Sequence, residues 1–241
     1  VERIHLAETN VHGGTSDVRS SSVKLRSMLE LHALDYAPAT ATGPLLKDIA
    51  LKADLGRPVL VAGASGSGKT SLLEVIAGLS GQQRGSVCWK GKELSQRQRR
   101  WLSGMVFQFP ERHFLGLTIA QELRLGHRRL DSEQQQAALD TVGLANVRLS
   151  DAPERLSGGQ QRRLALAVQL LRGAELLLLD EPTAGLDWSV RAEVLALLSQ
   201  LSKQRVLIVV THEPQLFNDW ACERHQLRNG RLEPVTTLPA A

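Results

Sequence analysis

Two cysteines, two methionines and one tyrosine stand among 241 residues, and no long apolar run interrupts them. Each scarcity excludes something. Cys88 and Cys222 lie far apart without C-x-x-C spacing, so neither a disulfide framework nor a cysteine zinc site is expected, and a reducing compartment fits. A helix that crosses hydrocarbon needs about 20 apolar residues in succession; none is present, so any membrane role would be peripheral. Charge of one sign is also scarce: 29 Lys and Arg against 25 Asp and Glu leave a formal +4, the balance of an ordinary solvated surface. The densest basic cluster, Arg97, Arg99 and Arg100 beside Trp101, suits an anionic lipid or a protein partner. It lacks the spaced aromatics that stack single-stranded bases, so no nucleic acid is expected.

What the chain does have is Gly63-Ala64-Ser65-Gly66-Ser67-Gly68-Lys69-Thr70, a match to G-x-x-x-x-G-K-[ST]. The apolar run Pro58–Ala62 before it reads as a strand, and Thr70–Ala77 after it reads as a helix ending at Gly78. Strand, glycine loop and helix together make a phosphate site. Glycines let successive backbone N–H groups turn toward one anion, and the helix start adds about half a positive charge. Lys69 would reach the β- and γ-phosphates and the Thr70 hydroxyl would ligate Mg²⁺, with Ser71 next along the same turn.

Taken in order, residues 1–27 are polar and aperiodic and read as a disordered tail, with translation expected to begin at Met28. The segments from Leu29, from Leu46 and over Gly85–Gly91 read as strands of a small antiparallel sheet. Met105-Val106-Phe107 is a further buried strand ending at Gln108. Between there and about Leu171 the spacing turns helical, over Ile119–Leu125 and Glu133–Val142, so a helical subdomain at about 109–171 is expected within a domain of 28–241. Strand–helix alternation then resumes through Leu176–Leu179, Ser189–Leu201, Val206–Val210 and a short helix near Pro214–Trp220. Runs of four or five Leu and Val suit parallel strands covered on both faces. The fold class is α/β.

Further groups suit phosphoanhydride hydrolysis, which is mostly positioning and charge neutralisation. Leu176–Asp180 carries a carboxylate to the C-terminal end of a buried strand, where ligands sit in open α/β sheets. Asp180 there would hold Mg²⁺, directly or through water. Glu181 would act as general base, Gln108 would reach the metal and the attacking water, and His212 would touch the γ-phosphate. Leu156-Ser157-Gly158-Gly159-Gln160 begins another helix with Ser157 as its cap and offers a second phosphate-binding helix end. One chain needs one ATP site. The second end makes sense if it serves the ATP of another subunit.

These motifs, in this order, resemble the ABC-type ATPases over about Met28 to Pro234. Gly63–Thr70 is similar to their Walker A, Gln108 to the Q-loop, Leu156–Gln160 to the signature, Leu176–Asp180 with Glu181 to Walker B, and His212 to the switch histidine. Thr183–Asp187 resembles the D-loop, with Asp187 its acidic residue. The resemblance implies a P-loop NTPase, RecA-like, with an antiparallel β subdomain and an inserted helical one. It implies ATP and Mg²⁺, and a head-to-tail dimer in which Ser157, Gly158, Gly159 and Gln160 meet the partner's nucleotide in trans. It also implies a separately encoded transmembrane partner, a peripheral position on the cytoplasmic face of a membrane, and import of a metal ion or vitamin. The alternative is a soluble ABC ATPase of non-transport type, as in iron–sulfur assembly, although that type usually has Glu-Lys-Lys where Gln160-Gln161-Arg162 stands.

Phe107–Phe114 with Thr118–Leu123 resembles the energy-coupling-factor and cobalt-type ATPases, and Phe107–Arg112 with Ala184–Trp188 the non-intrinsic cyanobacterial and chloroplast members. Phe114 and Leu115 equally suit simple packing within the helical stretch. The family stacks adenine on an aromatic. Aligning the strand at Leu29 places Pro38 at that position and Tyr36 two residues earlier; Tyr36 is a candidate adenine contact and equally suits an ordinary core aromatic.

Overall fold

A computed structural model of the chain describes residues 27–235; most of the tail expected over 1–27 lies outside the described residues. An antiparallel sheet is built from β1 (Leu29–Tyr36), β2 (Leu46–Ala53), β4 (Arg84–Trp89) and β5 (Lys92–Glu93), in the order β2-β1-β4-β5. The second sheet has six strands: β3 (Val59–Ala62), β6 (Ser103–Val106), β7 (Leu176–Asp180), β8 (Val206–Thr211), β9 (Glu223–Arg228) and β10 (Arg231–Pro234). Their order is β10-β9-β3-β8-β7-β6, parallel from β9 to β6, with β10 antiparallel at one edge. The α/β class, with a small antiparallel sheet beside a parallel core, is the one expected.

Every residue of β3, β6, β7 and β8 is buried, and the strand period of two divides them between two cores. Leu176, Leu178, Val206, Ile208 and Val210 pack with the antiparallel sheet and with α1 (Lys69–Ala77). Leu177, Leu179, Leu207 and Val209 pack on the opposite face with α3 (Ile119–Arg124), α4 (Ser132–Thr141), α5 (Gly158–Leu171) and α6 (Trp188–Ser202). That is why β3, β7 and β8 show near-continuous Leu, Ile and Val instead of alternation, while β6 is buried as Ser-Gly-Met-Val. Among the described residues no strand lies between β6 and β7.

Two findings correct the reading of surface residues. The basic cluster lies on α2 (Gln96–Leu102), but Arg99 is only 1% exposed. Its guanidinium donates to Val75 O at 2.6 Å and Gln82 Oε1 at 2.7 Å, and Arg100 Nε donates to Gly78 O at 2.8 Å. These cations serve the carbonyl end of α1, where the helix dipole favours positive charge; they are not a free basic face. Phe114 is half-buried against the second core, yet Leu115 is 80% exposed. The buried Glu122 carboxylate accepts from the N–H groups of Leu115 and Gly116, both at 2.8 Å, which holds this loop with its leucines outward.

Candidate phosphate site

The loop from β3 to α1 is held by its own lysine. Lys69 Nζ donates to Gly63 O at 2.8 Å and to Ala64 O at 3.1 Å, so the side chain bridges back across the loop it follows. Gly68 caps α1 with φ of 99°, a left-handed conformation that side chains other than glycine rarely adopt. The first turn of α1 contains no acidic residue, leaving its positive end uncompensated by its own sequence. Ser67 Oγ is buried without a partner. An uncompensated helix start, an orphaned hydroxyl and a buried ammonium fit a polyanion.

Thr70 Oγ1 donates to Asp180 Oδ2 at 2.7 Å, joining the start of α1 to the end of β7. Burial is the largest influence on Asp180 and raises its pKa; the Thr70 hydroxyl opposes this, and neighbouring Glu181 adds to the rise. These two oxygens are hard donors of the kind that would hold Mg²⁺. Among the described residues no cluster of three or more His, Cys, Asp or Glu offers an all-protein cage. A metal shared with a bound phosphate is what the donor set suits.

Glu181 follows with φ of 47°, an uncommon conformation for a residue other than glycine and one that costs about 1–3 kcal/mol. Its N–H donates to Val210 O at 3.0 Å, which prolongs the β7–β8 ladder through the turn. The turn aims the carboxylate back between two strand ends. Oε1 lies 2.9 Å from His212 Nδ1 and 3.8 Å from Lys69 Nζ, while Oε2 accepts from the His212 backbone N–H at 3.1 Å. Gln108, two residues beyond β6, completes a recess of about 230 Å³ with Lys69, Thr70, Asp180 and Glu181.

A larger cleft of about 640 Å³ adjoins the loop, with Pro44 and Leu45 on one side and Gln226–Gly230 on the other. The second wall was not foreseen. β9 reads Glu-Arg-His-Gln-Leu-Arg, with one fully buried residue and no apolar alternation to announce a strand. Tyr36 closes β1 half-buried against the first core and does not line the cleft. Its carbonyl accepts from Leu45 N at 2.7 Å, so it stands directly behind the cleft wall.

Ser157–Gln160 line neither cavity. Ser157 and Gln160 cap α5 reciprocally, with Gln160 N on Ser157 Oγ at 3.4 Å and Ser157 N on Gln160 Oε1 at 2.9 Å. Ser157 and Gly158 are exposed, whereas Gly159 is buried against α6. A Cβ on Gly159 would collide with Val190 Cγ1, so only glycine allows this helix start to approach so closely. Asp187 caps α6, accepting from Val190 N at 3.1 Å and Ser189 Oγ at 2.9 Å. Those bonds, the Val190 amide foremost, hold its carboxyl below the usual range.

The family model described as ABC transporter matches residues 46–184, more than half of the chain. The chain belongs to the ABC transporter family. The matched span contains the glycine loop, Gln108, Ser157–Gln160, Asp180 and Glu181. The chain is 42% identical over 173 residues to "ABC transporter I family member 11, chloroplastic" of Arabidopsis thaliana, covering 64% of this chain and 61% of that one. It therefore spans less than two thirds of that relative's length. It is 39% identical to the thiamine import ATP-binding protein ThiQ of Cereibacter sphaeroides, over 77% of this chain and 85% of that one. Among solved structures, this ABC family chain resembles cbiO1 of Clostridium perfringens, titled as part of the ABC transporter complex cbiONQ. The TM-score is 0.76 at 26% identity, covering 86% and 87% of the two chains.

Proposed function

We propose that this chain binds and hydrolyses ATP with Mg²⁺, pairs head to tail with a second ATPase subunit, and drives a separately encoded membrane partner in the import direction. The observation that carries the hydrolytic reading is the placement of Glu181, fixed by His212 and Lys69 beside the Thr70–Asp180 pair. The β- and γ-phosphates lie against the loop amides and the start of α1, with Lys69 exchanging its carbonyl partners for phosphate oxygens. Mg²⁺ held by Thr70 and Asp180, with Gln108 at its edge, would neutralise phosphate charge. A water oriented by Gln108 and Glu181 attacks the γ-phosphorus. The new bond is water oxygen to γ-phosphorus, the broken one joins that phosphorus to the β–γ bridging oxygen, and the water proton passes to Glu181. His212 keeps Glu181 in place through its ring and its backbone N–H, and in the proposal its ring meets the γ-phosphate.

In this reading residues 109–171 form the inserted helical subdomain, and the base enters the cleft between Pro44–Leu45 and Gln226–Gly230, with Tyr36 behind its wall. The exposed Ser157–Gly158 helix end supports a site completed in trans, and Trp188, 82% exposed beside Asp187, supports a protein surface there. Leu115 and Leu117, 80% and 79% exposed on the loop that Glu122 holds, support a docked partner. Among the described residues no helix is long and apolar enough to cross a membrane. The printed name of the thiamine import relative supports the direction.

Glu181→Gln tests the chemistry. It keeps the shape and removes the base, so turnover should fall by about 10²–10⁴ while ATP still binds. Unchanged steady-state hydrolysis would remove Glu181 as the base. Reconstitution with the co-purifying membrane protein and transport assays in both directions test the rest.

A further inference from the structure

Arg162 is a buried cation that the hydrolytic scheme leaves unused. It lies on α5 five residues after Ser157 and is 6% exposed. Its Nη2 donates to Gln108 O at 3.2 Å and also, in a short contact, to Ala184 O. Ala184 N in turn donates to Glu181 O at 3.1 Å. Thus one guanidinium spans the helix that begins at the exposed Ser157, the turn that carries Gln108, and the segment that runs from Glu181 to Asp187. Its hydrogen-bond partners are backbone carbonyls, not a carboxylate. Taking a cation out of water is costly unless its geometry is well satisfied, and burial does pull the Arg162 pKa down, with Glu111 countering. A neutral side chain would fill the same space more cheaply. Both bonds leave one nitrogen, Nη2, which uses a hydrogen for each carbonyl, so what the guanidinium supplies is a long, planar, fixed donor that reaches two separate segments at once.

We propose that Arg162 is a positioning residue that couples the Ser157–Gly159 helix end to Gln108 and Glu181 of the same chain. Nucleotide at a chain's own glycine loop is thereby linked to the helix end that the chain offers to its partner. The inference rests on the hydrolytic reading above for its kinetic arm alone.

Full-length Arg162→Lys keeps the charge but puts a shorter, rotatable ammonium in place of the fixed Nη2 that reaches both carbonyls; Arg162→Gln removes the charge as well. Both should lower kcat about tenfold or more with KM changed less than about threefold, the split expected when transition-state positioning is lost and binding is kept. A structural role alone would not give the second readout, amide hydrogen exchange at residues 157–163 with and without MgADP. Wild type should show a nucleotide-dependent change there, and Arg162→Lys should show none at equal nucleotide occupancy. Lack of turnover in wild type would defeat the hydrolytic reading and leave the exchange arm to decide. An exchange response that survives Arg162→Lys, or that is missing from wild type, overturns the coupling. So does full kcat in Arg162→Lys, or a variant that loses nucleotide binding and melting temperature together with turnover.

Discussion

The Thr70 hydroxyl meets Asp180 Oδ2 at 2.7 Å across 110 residues of sequence. This contact closes the helix start on the strand end, and it keeps a carboxylate where burial resists its charge. A carboxyl whose folded pKa lies above its unfolded value binds its proton more tightly in the folded state. Ionised Asp180 therefore costs stability at neutral pH, and the cost disappears as pH falls toward the unfolded value of about 4.

Asp180→Asn should accordingly melt higher than wild type near pH 7.5 without nucleotide, while Mg²⁺-dependent turnover is lost. The gain should shrink in acid. Thermal melts at several pH values, with Mg²⁺ titrations of activity, check both halves; a lower melting temperature near pH 7.5 contradicts the raised pKa.

Glu181→Gln should accumulate as an ATP-bound dimer, because hydrolysis is what separates the paired subunits in the proposed scheme. Size-exclusion chromatography with MgATP should show a species of twice the mass, returning to monomer when ATP is withdrawn. A monomer at saturating MgATP speaks against the sandwich.

Subunit mixing tests the trans site directly. Lys69→Ala damages a chain's own loop, and Ser157→Arg damages the loop of its partner. Each alone should be inactive. In a head-to-tail heterodimer both lesions fall on one composite site and the other is intact, so mixing should restore part of the activity. No rescue at any ratio, with activity proportional to protein concentration, would reject the dimeric mechanism.

Gly159→Ala should destabilise the chain through overpacking, since the new Cβ meets Val190 Cγ1. The expected cost is about 1–3 kcal/mol, seen as a lower denaturation midpoint. Adding Val190→Ala should recover part of it, giving a coupling energy in a double-mutant cycle. Additive losses would place the strain elsewhere.

Adenine recognition should be loose: Tyr36 stands behind the cleft wall, so base stacking worth roughly 1–3 kcal/mol is missing and GTP should compete with ATP within about tenfold. A strong ATP preference in competition binding that disappears in Tyr36→Ala would show instead that Tyr36 stacks on the base.

Legibility in the sequence followed physical cause. The phosphate loop, Asp180 and Glu181 were readable because each needs a fixed residue type at the end of a buried apolar run. The Leu and Val strands were readable for the same reason, since burial on both faces favours continuous apolar runs. α2 was hidden because its one buried residue is an arginine, whose burial depends on the distant Val75 carbonyl and Gln82 side chain. β9 was hidden because it is an edge-region strand of polar residues, recruited by pairing with β3. The left-handed turn at Glu181 carries no residue-type signature, glycine and asparagine being the usual occupants.

The strand that delivers the glycine loop pairs with nothing near it in sequence. β3 has β8 on one side and β9 on the other, with Val59 opposite Ile208 and Glu223. A growing polypeptide therefore exposes Val59–Ala62 without its neighbours until more than 140 further residues have been synthesised. The loop's platform is assembled late, by closing long loops that make such pairings slow to form. During that interval the nascent chain carries an unpaired Val-Leu-Val segment next to its most functional residues, and this is where a chaperone engaging the emerging protein has most to shield.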